Sequence, residues 1–186
     1  MKNIVSFVGS RGLSPTFSPL VEAVIKSVIS SGRSISVGCC TGLDAFVLSA
    51  APPENVYCFS AFGPENQGAF IFSATDQVKQ FYDQGGIVKY WAGGKGQLKH
   101  RLANRTKAVI YSASVSTIVF FAAPGSKGSA LACRLSIASG LRIYAFACGF
   151  PGVQLPTFKN GKWVCVGGSG LWSSAWYWKE PQAVIF

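Results

Sequence analysis

The 186-residue sequence predicts an α/β fold: a doubly wound, mostly parallel sheet with helices on both faces and a short C-terminal β-hairpin extension. Three observations carry that expectation. Short apolar runs rich in β-branched and aromatic residues alternate with segments of 3.6-residue periodicity, which is the pattern of βαβ units. Glycine or proline punctuates most handovers between them. Beyond Pro151 the alternation stops, and Asn160-Gly161, a strong hairpin signal, stands between strand-forming residues.

Residues 3–8, NIVSFV, read as a buried strand. Pro15 to about Ser31 reads as a helix whose Leu20, Val21, Val24, Ile25, Val28 and Ile29 share a face, with Gly32 as its C-terminal cap. Residues 34–38, SISVG, form a second strand, and TGLDAFVLSAA opens a second helix that Pro52 and Pro53 close. VYCFSAF at 56–62 is a third strand, 73–84 a helix, 87–91 a strand and 97–112 a basic helix. TIVFFA is then a strand, SALACRLSIAS a helix capped by Gly140, and RIYAFA a strand. The division expected is a core over residues 1–150 and an aromatic-rich hairpin and tail over 151–186, packed on it.

Hydrophobic residues make up 49% of the chain, but the apolar runs are too short to span a bilayer. The opening MKNIVSFVGS has no hydrophobic region of signal-peptide length, which predicts a cytoplasmic protein without a membrane partner. Six cysteines, Cys39, Cys40, Cys58, Cys133, Cys148 and Cys165, include no CxxC pair, and the chain has one histidine. No metal site is expected, and the thiols read as reduced and mostly buried.

Charge is divided unevenly. Residues 1–83 carry five basic and six acidic side chains, whereas from Gln84 onward twelve Lys and Arg face one acid, Glu180, so the net +10 lies in the second half. A hundred residues with one carboxylate cannot intersperse the two signs as ordinary surfaces do. That favours a polyanionic partner.

Three loops share phosphate chemistry, each at a strand's carboxyl end, where open α/β sheets bind ligands. In the first, Gly9, Ser10 and Arg11 offer close backbone approach, a hydroxyl and a guanidinium that grips phosphate with two parallel bonds. The second runs from Gly38 through Thr41 and Gly42 to Asp44, and the third is Pro124-Gly125-Ser126-Lys127-Gly128-Ser129, at the positive end of a helix dipole. Any one of these is as well explained by turn geometry; together, at one sheet edge, they point to anion binding.

The same segments carry a resemblance. FVGSRGLSP, SGRSISVGCCTGLDAFV, ANRTKAVIYSASVSTIVFF and GSKGSALACRLSIASGLRIYAFACG resemble, in order and spacing, the Rossmann-like core of the DNA-processing protein A family over about residues 3–150. That family belongs to the wider superfamily that includes the LOG cytokinin-activating hydrolases. The resemblance implies a single-stranded DNA-binding protein of DNA processing or recombination, a homodimer, and, by analogy alone, contact with a RecA-type recombinase. It implies Gly9, Ser10, Arg11, Gly42, Asp44, Asn104, Arg105, Ser126, Lys127, Gly128 and Ser129 as pocket residues, and no cofactor.

Two other readings stand beside it. The hydrolase branch uses a P-G-G-x-G-T-x-x-E loop, and here PGSKGSALA puts Ala132 where the glutamate belongs, so no catalytic residue is assigned. His100, alone on the basic helix, reads as a surface or phosphate-contacting residue. The second is a sensor holding a small nucleotide, which a phosphate cradle alone does not distinguish from DNA or RNA. In the tail, Trp163 reads as strand packing, while Trp176, Tyr177 and Trp178 fit either packing or stacking on bases beside Lys159, Lys162 and Lys179.

Overall fold

The computed structural model describes residues 3–158 and 161–180. The first βαβ unit forms as the periodicity requires. Strand β1 (Ile4–Gly9) leads through a 3-10 turn at Pro15–Phe17 into helix α1 (Ser18–Ser30), and the Ser14 hydroxyl accepts the Thr16 amide to start that turn. Val21, Val24, Ile25 and Val28 are its buried stripe. Next come β2 (Ser34–Val37), α2 (Leu43–Ala50), β3 (Val56–Phe59), α3 (Phe72–Asp83), β4 (Ile87–Lys89) and α4 (Leu98–Ser112). The chain continues as β5 (Ser116–Phe121), α5 (Lys127–Ala138), β6 (Arg142–Ala147), β7 (Lys162–Cys165) and β8 (Ala175–Lys179).

These strands form one sheet in the order β4-β3-β2-β1-β5-β6-β8-β7. The first six run parallel, and β8 joins β6 antiparallel. The doubly wound α/β fold expected from the alternation is therefore present. The chain winds outward from β1 to β4, then crosses back to place β5 on the other side of β1. That reversal opens a crevice at the carboxyl ends of β1 and β5.

Alternation along the strands divides the core. Val5, Phe7, Ile118, Phe120 and Phe146 pack with α1 and α2 in one cluster. Phe120 stacks on Phe146 at 5.0 Å and on Phe7 at 6.3 Å, a ladder across three strands in which each fully buried ring contributes about 2–3 kcal/mol. The other face is partly hydroxyl-lined: Ser6, Thr117 and Ser136 form a buried chain at 2.8 and 2.7 Å, and Ser36 donates to the Val109 carbonyl of α4 at 3.1 Å. Small hydroxyls let α4 and α5 lie close to the sheet while each of these four hydroxyls has a partner.

The end of the sheet differs from the expectation. β7 pairs with β8, Trp163 opposite Trp178, so this hairpin closes through residues 166–174 rather than at Asn160-Gly161. Asn160 and Lys159 lie outside the described residues. The reason is the free edge of β6: Ala175, Trp176 and Tyr177 pair with Phe146, Ala145 and Tyr144, which satisfies that edge. The tail's aromatics then pack on one another. Trp178 meets Trp163 at 5.2 Å and Phe158 at 5.5 Å, Trp163 donates its indole N–H to the Pro156 carbonyl, and Trp172 meets Tyr144 at 5.7 Å. No helix among the described residues is long and apolar enough to cross a membrane.

Candidate nucleic-acid interface

The crevice at the carboxyl end of β1 is built from the three glycine-containing loops. Ser10 is its hub. Its amide donates to the Phe120 carbonyl at 3.1 Å, its hydroxyl accepts the Ala122 amide at 3.0 Å, and the same hydroxyl donates to Ser126 at 3.0 Å. Ser126 and Ser129 share a further bond at 2.9 Å, so the first and third loops are tied by a row of hydroxyls. Ser129 is fully buried and supports the loop from behind.

The second loop is held just as closely. Gly42 has φ +72°, and a side chain there would run into the carbonyls of Ser10 and Arg11. Thr41 lies 3.5 Å from the Arg11 carbonyl. Gly38 leaves the space that the Arg105 guanidinium occupies. Arg105 donates to Asp44 at 3.1 Å and to the Cys40 sulfur at 3.0 Å, and the Cys40 amide donates to Asp44 at 2.9 Å. Burial pushes the Asp44 carboxyl above the usual carboxylate range, with Arg105 opposing it. Burial also works against the Arg105 charge, but the neighbouring Cys40 and Asp44 outweigh it and hold the guanidinium cationic.

The result is a cleft of about 410 Å³. Gly9, Ser10 and Arg11 line one side and Ser126, Lys127 and Gly128 another, with Cys40 and Asp44 between them. Helix α4 closes it with Lys99, Leu102, Ala103 and Thr106, which share one face of the helix by their i, i+3, i+4, i+7 spacing. The α5 N-terminus adds amides that have no partner within the helix. Arg11, Lys99 and Lys127 are exposed. Asp44 is the cleft's one carboxylate among the described residues, and its partner is Arg105. The exposed charge facing the cleft is therefore positive.

Of the thirteen residues singled out in the sequence, eight line this cleft: Gly9, Ser10, Arg11, Asp44, Arg105, Ser126, Lys127 and Gly128. Gly38, Thr41, Gly42 and Ser129 do not line it but contact residues that do. Asn104 does not line it; its amide donates to the Gly93 carbonyl at 3.3 Å on another side of α4. His100 is exposed outside the lining, and Ala132 is wholly buried. Sequence reasoning missed Lys99, Leu102, Ala103 and Thr106, although their helical stripe was there to be read.

The sequence matches the model of the family described as DNA recombination-mediator protein A over residues 1–162. The chain belongs to that family. No curated protein matches the chain. DNA processing protein A from Helicobacter pylori, solved with attention to its single-stranded DNA binding mode, aligns at 19% identity over 78% of this chain with a TM-score of 0.62. The same protein from Streptococcus pneumoniae aligns at 21% over 83% with a TM-score of 0.63. At these identities the likeness is one of fold. The chain spans 65% of the first structure and 53% of the second. The family match ends at residue 162, so β8 and the Trp172 segment lie beyond it.

Proposed function

We propose that this chain binds single-stranded DNA through its phosphate backbone, in DNA processing or recombination, using the cleft at the carboxyl ends of β1 and β5. The observation that carries the reading is the charge at that cleft: Arg11, Lys99 and Lys127 are exposed around it while Asp44 is taken up by Arg105. Family membership supports it, as does the single-stranded DNA binding described for the Helicobacter pylori protein. Three cations grip phosphates, and Leu102, Ala103 and Leu131 give an apolar wall against which a base can lie. No cofactor is needed for this role.

The reading extends to a homodimer, to a cytoplasmic setting in keeping with its free thiols, and to a RecA-type recombinase as a partner by analogy with the family. Hydrolysis of nucleotides is not part of it, because α5 carries the buried Ala132 where the hydrolase branch has its glutamate. The test is binding of labelled oligo(dT) against duplex DNA, RNA and free mononucleotides across a salt series. Single strands should bind best, with a log–log salt slope of roughly −2 for three phosphates neutralised. Preference for a mononucleotide with little salt dependence would replace DNA binding by a nucleotide-sensing role. Release of free adenine from AMP would revive the hydrolase reading.

A further inference from the structure

At the opposite edge of the sheet lies a second cavity, of about 370 Å³, near the amino ends of β1 and β5. Its origin is topological. Helix α1 packs on β2 and reaches residues 171–174, while the strands beyond β5 have on this face the segment around Trp172. A trough is left between α1 and that segment. Val5, Ile118 and Tyr144 form its floor, Val28 and Trp172 its sides.

The charge in the lining is of one sign. Arg33 stands exposed at the rim and is the one charged side chain lining the cavity among the described residues. Among the described residues no carboxylate lines it, and Ser27, Ser31 and Ser116 add hydroxyls. An apolar slot with an aromatic side, a cation at its mouth and a few hydroxyls matches a flat apolar ligand with one negative group. The volume is at the lower end of the range for small-molecule sites, which suits one bicyclic ring rather than a polymer. One side is built by Val166 and Trp172, which lie beyond the part of the chain that matches the family.

We propose that this trough is a binding site for a small planar aromatic anion, separate from the cleft at the other edge. The ring lies between α1 and Trp172 over Tyr144, and the anionic group meets Arg33.

Naphthalene-2-sulfonate, the uncharged 2-naphthalenemethanol and the cationic 2-naphthylmethylammonium are the probes, titrated against the full chain by calorimetry and saturation-transfer NMR. The sulfonate should bind best at one site. Arg33→Met should weaken the sulfonate about five- to tenfold and leave the alcohol unchanged, since an exposed cation contributes one charge-assisted contact. Ser27→Phe, which fills the trough from the helix side, should abolish binding of all three with the melting temperature retained. Trp172→Leu should weaken all three, and none of these variants should alter oligo(dT) binding. Equal sulfonate affinity for wild type and Arg33→Met, or unchanged binding in Ser27→Phe, would overturn the proposal. Sulfonate binding that weakens as protein concentration and particle mass rise together would hand the trough to a second copy of the chain, and would also overturn it.

Discussion

Asp44 and Arg105 meet at 3.1 Å beneath the cleft, both side chains almost wholly removed from water. The pair joins the N-terminal turn of α2 to the middle of α4, across the carboxyl end of β2. It also explains Gly38, whose missing side chain is the space the guanidinium fills. Arg105 therefore shapes the cleft, whereas Arg11, Lys99 and Lys127 line it with their side chains exposed to solvent.

Breaking that pair from either side should be costly. Asp44→Asn or Arg105→Met leaves a buried, uncompensated charge, which destabilises by about 3–5 kcal/mol. The double variant should lose less than the sum of the singles, by about 1–3 kcal/mol. Chemical denaturation of the four proteins measures the coupling; strict additivity would mean that the two groups do not depend on each other.

Arg11→Ala, Lys99→Ala and Lys127→Ala should each reduce oligo(dT) affinity about tenfold or more, a charge-assisted phosphate contact contributing about 1.5–3 kcal/mol. Their melting temperatures should stay near wild type. Lys26→Ala, on the exposed side of α1, should change affinity little. Fluorescence anisotropy at fixed salt distinguishes this from diffuse attraction, under which Lys179→Ala would matter as much as Lys127→Ala and Arg11→Ala hardly at all.

Gly42→Ala and Gly32→Ala separate backbone strain from loop packing. Both positions have φ near +70°, at +72° and +74°, but an added methyl meets the Ser10 and Arg11 carbonyls only at Gly42. Gly32→Ala should destabilise by about 1 kcal/mol, and Gly42→Ala by about 1–3 kcal/mol with a loss of DNA affinity as well. Thermal melts and binding curves on the same samples check both. Equal effects at the two positions would show that Gly42 does not hold the loops together.

Cys165 is exposed, whereas the other five thiols are buried. Ellman's reagent should therefore modify one thiol quickly in the native chain, and Cys165→Ser should remove that phase. Burial pushes the Cys133 and Cys148 thiols up to about 12 from an ordinary value near 9. A raised value means the folded state keeps a proton that the unfolded state has lost. Their contribution to stability should be intact below pH 9 and fall away between about pH 9 and 12. Replacing both by alanine should flatten that part of the denaturation profile; an unchanged slope would contradict the assignment.

Much of this molecule was legible along the chain, because helix stripes, buried strands and glycine caps are local. The Val21, Val24, Ile25 and Val28 stripe, the apolar run of β5 and the caps at Gly32 and Gly140 each follow from a few neighbouring side chains, and their alternation specifies the doubly wound sheet. The three loops could be placed at one edge for the same reason, since parallel βαβ units put every strand's carboxyl end on the same side. What the sequence alone left undetermined was pairing between distant residues. Asn160-Gly161 marks a hairpin locally, but β7 takes β8 as its partner because β6 has a free edge and the tryptophans pack there. Arg105 and Lys127 are both cations in candidate segments. Only tertiary structure separates them: Arg105 lies buried against Asp44, 61 residues away in the chain, and Lys127 faces water. Burial and counterion distance decide whether a charge braces a fold or meets a ligand, and both are set by contacts across the sheet rather than by neighbours in the chain.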